Sequence, residues 1–309
     1  MKKLFVAICA FFILTVFEVN AQQDPQYTQY MYNMNVVNPA YAGSKESLNI
    51  GLLYRDQWSG FPGAPRTFTM SAHSPVGDKT GLGLSAISDE IGPVKETNVY
   101  ADFSYTLDFG NSRKLAFGVK AGATFHDVGL TNLELQDGNG DLGPVDPAFA
   151  ADVNNTYPNF GAGFLYYTNN WYVGVSVPNM LQSTHLDADP DGREYGNEEM
   201  HYFATAGYVF QLSENTKFKP STLVKSSFNS PISFDVNANF LFYDRFEIGA
   251  SYRYEDAVSG LASVRATDWV QFGFAYDHSI SDINQPSYEA FVIFDIFFNK
   301  KTYLSPRYF

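Results

Sequence analysis

The chain is short of cysteine, of basic charge and of long apolar runs, and each shortage excludes a class of function. Its one cysteine, Cys9, lies inside an apolar run, Leu4 to Phe17, that follows Met1-Lys2-Lys3. That run is too short and too early for a spanning helix, and Val19-Asn20-Ala21 precedes Gln22, so residues 1–21 are expected to be a cleaved export signal. Cys9 follows Ile8 rather than a small residue at the end of the run, so lipidation is not expected. Without residues 1–21 the chain has no cysteine, which excludes disulfides, a thiol nucleophile and thiolate metal sites. Lys and Arg number 20 against 33 Asp and Glu, a formal charge of −13 with a pI near 4.7. Nucleic-acid binding needs a basic footprint, so no nucleic-acid partner is expected. After residue 21 no apolar stretch reaches ~18 residues, and the mean hydropathy is −0.19. Both exclude a helical membrane protein, but not a membrane barrel, whose strands are only half apolar.

What the chain does have is aromatics, at 17% equal to its charged fraction, together with 24 glycines. From Leu48 onward they fall into a period of two, which places alternate residues on opposite faces of a strand. Val99, Ala101, Phe103, Tyr105, Leu107 and Phe109 interleave with Asn98, Tyr100, Asp102, Ser104, Thr106 and Asp108. Ile232 to Phe242, Phe246 to Tyr254 and Val270 to Tyr276 repeat the pattern. Such segments run for about 9–12 residues, the length a tilted strand needs to cross a bilayer, whereas sandwich strands run about 5–6. The reading extends to about fourteen strands, near 47–57, 66–74, 80–88, 96–109, 114–126, 157–168, 171–178, 200–212, 216–227, 231–243, 245–255, 258–267, 269–278 and 287–298.

The connections sort by parity. Short turns follow the even-numbered strands, and the two longest connections, 127–156 and 179–199, follow odd-numbered ones. Outer-membrane barrels have short periplasmic turns and longer external loops. A soluble two-sheet sandwich, the competing architecture, has no reason to sort its loops this way. The expected fold is therefore an all-β transmembrane antiparallel barrel over residues 47–298, between an N-terminal periplasmic or plug segment at 22–46 and a C-terminal tail at 299–309. Within 22–46, Tyr27, Tyr30, Met31 and Met34 have the spacing of a short helix with an aromatic face, broken at Asn38-Pro39 and Ala42-Gly43. This segment either fills the lumen or serves as a docking arm. Arg55 and Asp56 belong to a lumen network or to the rim.

Evidence for chemistry is thin. His73, His126, His185, His201 and His278 form no ligand pair, and no phosphate loop precedes a helix, so no catalytic or cofactor residues are assigned. One loop is sharper. Asp187, Asp189, Asp191, Gly192 and Glu198 fit the spacing of a calcium loop, with alternating carboxylates converging on a hard cation. Pro190 and the lack of flanking helices count against it, and solvated acidic loops, here and at Asp137 to Asp141, are the plainer reading. Calcium is the one cofactor the sequence raises.

Several stretches, taken together and in order, resemble one family. They are Asp24-Pro25-Gln26-Tyr27-Thr28-Gln29-Tyr30-Met31, Asn38-Pro39-Ala40-Tyr41-Ala42-Gly43-Ser44, and Tyr54-Arg55-Asp56-Gln57-Trp58 with Gly60-Phe61-Pro62. Further along come Asp89-Glu90-Ile91-Gly92-Pro93, Ser176-Val177-Pro178-Asn179, Pro220-Ser221, Gly249-Ala250-Ser251-Tyr252-Arg253 and the closing Ser305-Pro306-Arg307-Tyr308-Phe309. The chain resembles the PorP/SprF family of outer-membrane barrels of the type IX secretion and gliding apparatus. That resemblance implies an outer-membrane location and other type IX secretion components as partners. It also implies a role in the export or surface attachment of a large secreted or cell-surface protein, often adhesin-like, through its C-terminal sorting domain. It carries over no catalytic residue. A pore or transporter for small solutes is the alternative, and a membrane-embedded hydrolase the least supported.

Overall fold

A computed structural model describes residues 26–131, 152–181, 184–186, 195–197, 200–227 and 230–297. Their strands close into a fourteen-stranded antiparallel barrel. We number them β1 (Leu48–Asp56), β2 (Arg66–Pro75), β3 (Thr80–Ile91), β4 (Val94–Asp108), β5 (Lys114–Val128), β6 (Val153–Tyr167) and β7 (Trp171–Val177). Then follow β8 (Tyr202–Tyr208, resuming as Phe210–Ser213), β9 (Thr216–Ser227), β10 (Ser230–Phe242), β11 (Phe246–Arg253), β12 (Ala257–Thr267), β13 (Val270–Ser279) and β14 (Ser287–Ile296). Each strand pairs with its sequence neighbours, and β14 closes on β1 from Leu48↔Ile296 to Asp56↔Tyr288. A small hairpin, Thr184–Leu186 with Tyr195–Asn197, lies within the long connection between β7 and β8.

Alternation places the polar face inward. On β4, Asn98, Tyr100, Asp102 and Ser104 are buried in the lumen, while Val99, Phe103 and Tyr105 face outward. A soluble core would be the reverse. Here the exposed apolar belt meets lipid and the buried polar face lines the interior. Two aromatic girdles bound the belt. Tyr166 and Trp171 (ring centroids 5.3 Å apart), Tyr208 and Phe210 (4.3 Å) and Trp269 and Phe294 (6.3 Å) ring one end. Tyr54, Tyr252, Tyr276 and Tyr288 ring the other.

The parity expectation holds. Turns at 76–79, 109–113, 168–170, 214–215, 243–245 and 268–269 close the even-numbered strands, whereas 57–65, 129–152, 178–201 and 280–286 all follow odd-numbered ones. The long-loop end is therefore the cell exterior and the short-turn end the periplasm. One irregularity was not legible beforehand. β8 is interrupted at Val209, whose N–H donates instead to the Asn170 carbonyl at 2.7 Å. The register of β8 on β9 passes from Gly207↔Ser221 to Phe210↔Phe218, so the gap falls opposite Pro220, which has no N–H to offer the ladder.

Candidate functional site

Residues 26–46 run down the inside of the barrel as a strap. The single short helix expected there is three separate turns: a 3₁₀ turn at Tyr30–Tyr32, one α-turn at Met34–Val37 and a 3₁₀ turn at Pro39–Tyr41. Asn38 separates the last two, its backbone extended and its side-chain oxygen accepting the Ala40 N–H at 2.9 Å. Tyr30, Met31, Met34, Ala40 and Tyr41 are buried against the wall.

The strap has a direction. Its amino end lies at the exterior. There Glu289 on β14 accepts the backbone N–H groups of Thr28 (2.9 Å) and Gln29 (2.7 Å). The Thr28 hydroxyl donates to Asp277 on β13 (2.6 Å), and Arg55 on β1 reaches Thr28 (2.9 Å), Asp277 (2.8 Å) and Glu289 (3.2 Å) through one nitrogen. Arg55 is thus the lumen network rather than the rim, whereas Asp56 pairs with exposed Arg66 at 3.4 Å. Alongside, Arg253 on β11 holds Asp235 (2.8 Å), Asp256 (3.2 Å), the Gln26 side chain (3.3 Å) and the Tyr27 carbonyl (3.4 Å).

Midway, Lys120 pairs with Asp102 (3.4 Å) and donates to the carbonyls of Asn35 (3.4 Å) and Val36 (3.2 Å) at the end of the α-turn. Ser176 caps the Val37 carbonyl at 2.8 Å. Below that point the strap lies directly on glycine backbone of the wall. A Cβ on Gly118 would stand 2.2 Å from the Ala40 nitrogen, and one on Gly163 would stand 2.1 Å from the Asn38 side-chain oxygen. Gly118 and Gly163 are paired across β5 and β6, so together they form a trench that admits the strap. At the periplasmic end Asp295 gathers Asn49 (2.7 Å), Ser47 (3.3 Å), Lys45 (3.4 Å) and Arg265 (3.4 Å). Burial pushes the Lys45 ammonium below its ordinary value, and Asp295 opposes that shift.

Above the strap an external vestibule of 550 Å³ is bounded by Gln26, Trp58, His201, Lys225 and Tyr254, among others. Its rim is braced. The 57–65 loop donates from Trp58 N to Ser287 (2.9 Å) and from Ser59 N to the Pro286 carbonyl (2.7 Å), and its Gly63 carbonyl accepts Gly92 N (3.0 Å). Trp58 has φ +49°, a left-handed conformation uncommon for a bulky residue, and Phe61 beside it is 58% exposed. At the root of the 129–152 connection the backbone and hydroxyl of Thr131 bind Asp152 (3.0 and 2.9 Å) and hold its carboxyl below the usual range.

The predicted calcium residues, Asp187, Asp189, Asp191 and Glu198, lie outside the described residues, as do Asp137 to Asp141, the export signal and the tail. Among the described residues no cluster of three metal-ligating side chains occurs. Of the histidines, His73 accepts the Gly43 N–H (3.2 Å), His126 stands 3.7 Å from Glu96, and His278 faces outward.

The model of the family described as type IX secretion system membrane protein PorP/SprF matches residues 19–297. No curated protein matches the chain. Among solved structures it is similar to the CymD monoaromatic hydrocarbon channel, with TM-score 0.56 and 13% identity over 87% of this chain and 94% of that one. It is also similar to the Ralstonia pickettii toluene transporter TbuX (0.53 and 11%, over 86% and 93%) and the P. putida toluene transporter TodX (0.51 and 10%, over 86% and 94%). At these identities the likeness concerns the fold, an outer-membrane barrel.

Proposed function

The chain belongs to the PorP/SprF family of type IX secretion system membrane proteins, and from that premise we propose that it is a non-catalytic outer-membrane barrel that holds a large secreted or cell-surface protein during export or at the surface. The observation that carries this reading is the strapped lumen. A wall that binds its own N-terminal segment from Thr28 to Lys45 is built as a rigid platform rather than a wide pore. The braced 57–65 loop offers that platform an exposed Phe61 on a backbone already fixed, which lowers the ordering cost of docking. The partner's C-terminal sorting domain is the element such a rim would hold, and other components of the secretion system would assemble with the barrel. Purification from outer membranes in mild detergent with mass spectrometry tests it. A large secreted chain in stoichiometric amount is expected, and reproducible recovery of the barrel alone would overturn the reading.

A second reading, a transporter for small solutes, draws on the vestibule and on the barrels of similar fold that are described as hydrocarbon channels or toluene transporters. Planar-bilayer conductance separates the two: silence is expected of a strapped platform, and a stable open channel favours transport.

A further inference from the structure

The lipid-facing belt is not uniformly bulky. Across β7 to β10, beside the break in β8, it sinks into a groove of 710 Å³. The register shows how the sequence makes it. Val173 on β7 stands opposite Ala206 on β8, Ala206 opposite Thr222 on β9, and Thr222 opposite Val236 on β10. Val173 and Val236 are exposed ridges, and the small Ala206 and Thr222 between them are half-buried. Toward the periplasm Pro220 continues the low floor, as far as the paired Trp171 and Tyr208 of the aromatic girdle. Toward the exterior the groove ends at Phe234, the next outward position of β10. From the Trp171 row to the Phe234 row is two steps of two residues, about 14 Å, or roughly half of a ~25 Å apolar belt. The groove therefore lies in one leaflet, the periplasmic one. Its ridges stand three strand spacings apart, which leaves about 9–10 Å between them, the width of the two low strands. A membrane helix with its side chains is about 10–12 Å across, too wide to reach the floor, and the wall of a second barrel is broader still. An extended hydrocarbon chain fits.

We propose that this groove holds one acyl chain of a phospholipid from the periplasmic leaflet, with the head group at the level of Trp171 and Tyr208. The groove is continuous with the belt that meets lipid, and its floor suits hydrocarbon: Thr222 donates its hydroxyl to the Asp235 carbonyl at 2.7 Å, so that group is satisfied without water. A chain already in the bilayer gains nothing by leaving water, so its preference for the groove comes from contact. Seated between the ridges it has wall beneath it and on both sides, where a neighbour in the bulk membrane has wall on one. The amphipathic rings of Trp171 and Tyr208 mark the depth at which a head group lies. The site is on the outer surface of the barrel, apart from the strap and the rim, so it stands or falls independently of the partner-holding reading.

The test is native mass spectrometry of the full chain in mild detergent, titrated with dioleoylphosphatidylethanolamine and, in a parallel arm, with lipid A from the opposite leaflet. The first phospholipid is expected to bind at least about tenfold more tightly than the second, and lipid A to show no such step. Ala206→Trp, which fills the groove from its floor, is expected to abolish the distinct first lipid. Ala101→Trp, at an exposed outward position of β4, is expected to leave it intact. Should Ala206→Trp fail to give a heat-modifiable barrel, Thr222→Phe fills the same space from the neighbouring strand. Adducts with no distinct first lipid, or a first lipid unmoved by whichever filling variant folds, would overturn the proposal. So would its equal loss in Ala101→Trp, or a distinct first step with lipid A.

Discussion

The two ends of the strap are held by different physics. At the exterior, Arg55, Asp277 and Glu289, from three strands, converge on Thr28 and Gln29: Glu289 accepts both backbone N–H groups, and Asp277 and Arg55 bind the Thr28 hydroxyl. Toward the periplasm the strap is held first by shape, with Asn38 to Ala42 pressed onto glycines whose missing side chains make the room. A charge network of this kind fixes position through a few strong, mutually dependent hydrogen bonds, and losing one partner strands the others. A close-packed trench fixes position through many weak contacts and fails only when something is added. The outer end is therefore sensitive to deletion and the inner end to insertion.

The largest effect should follow Glu289→Ala. It leaves Arg55 with one carboxylate partner and two buried backbone N–H groups with none, a loss of about 3–5 kcal/mol for a broken buried pair. Hydrogen exchange by mass spectrometry should then show the amides of Thr28 and Gln29 losing protection by about a hundredfold or more, while those of Tyr41 and Ala42 keep theirs. Loss of protection along the entire strap would mean that the two ends are one cooperative unit, and the contrast drawn above would fail.

Gly118→Val should do the converse at about 1–3 kcal/mol or somewhat more. Its Cβ meets the backbone at Pro39 and Ala40, which cannot rotate away. Protection is expected to fall over residues 38–42 with Thr28 and Gln29 still latched. Conductance in a planar bilayer is expected to appear in this variant and to be absent from the parent chain.

The direction of the strap allows a test with little energetic cost. Because Cys9 is the one cysteine of the chain, single cysteines introduced together with Cys9→Ser are unique labels. Gln26→Cys should react with a membrane-impermeant maleimide on intact cells, as should Asp282→Cys in the outer 280–286 connection. Asn111→Cys, in a periplasmic turn, should react only after the envelope is opened. Labelling of Asn111→Cys but not Asp282→Cys from outside would invert the barrel, and protection of Gln26→Cys with both controls correct would invert the strap alone.

Much of this was legible in the sequence, and what was not has a physical cause. A period of two is local, so all fourteen strands and the side each faces could be read from residues such as Val99, Phe103 and Phe240. The parity of the loops gave the orientation. The latch could not be read, because Thr28 and Glu289 lie at opposite ends of the chain and meet only when β14 closes on β1 in a particular register. The trench left a readable trace: Gly118, Gly163 and Gly174 occupy lumen-facing positions of successive strands, where a polar side chain is otherwise the rule. The break in β8 also had a sequence cause, Pro220, but its consequence falls on the neighbouring strand.

The smallest effect tests the same contrast where it is least obvious. Asp295 resembles Glu289 in being a buried carboxylate that anchors the strap, through Lys45, and on that likeness alone Lys45→Met would cost as much as breaking the outer latch. The surroundings argue otherwise. Asp295 keeps Asn49 at 2.7 Å, Ser47 at 3.3 Å and Arg265 at 3.4 Å when Lys45 is gone, so the carboxylate remains paired. Lys45 itself is 17% exposed along its side chain and already disfavoured as a cation by its burial. Its methionine replacement keeps most of the apolar stem while giving up only the ammonium. Thermal unfolding of the barrel in detergent should therefore register about 0–1 kcal/mol for Lys45→Met, the range of a screened pair. A loss as large as that for Glu289→Ala would show that strap and wall depend on how many charges they share rather than on whether each retains a partner.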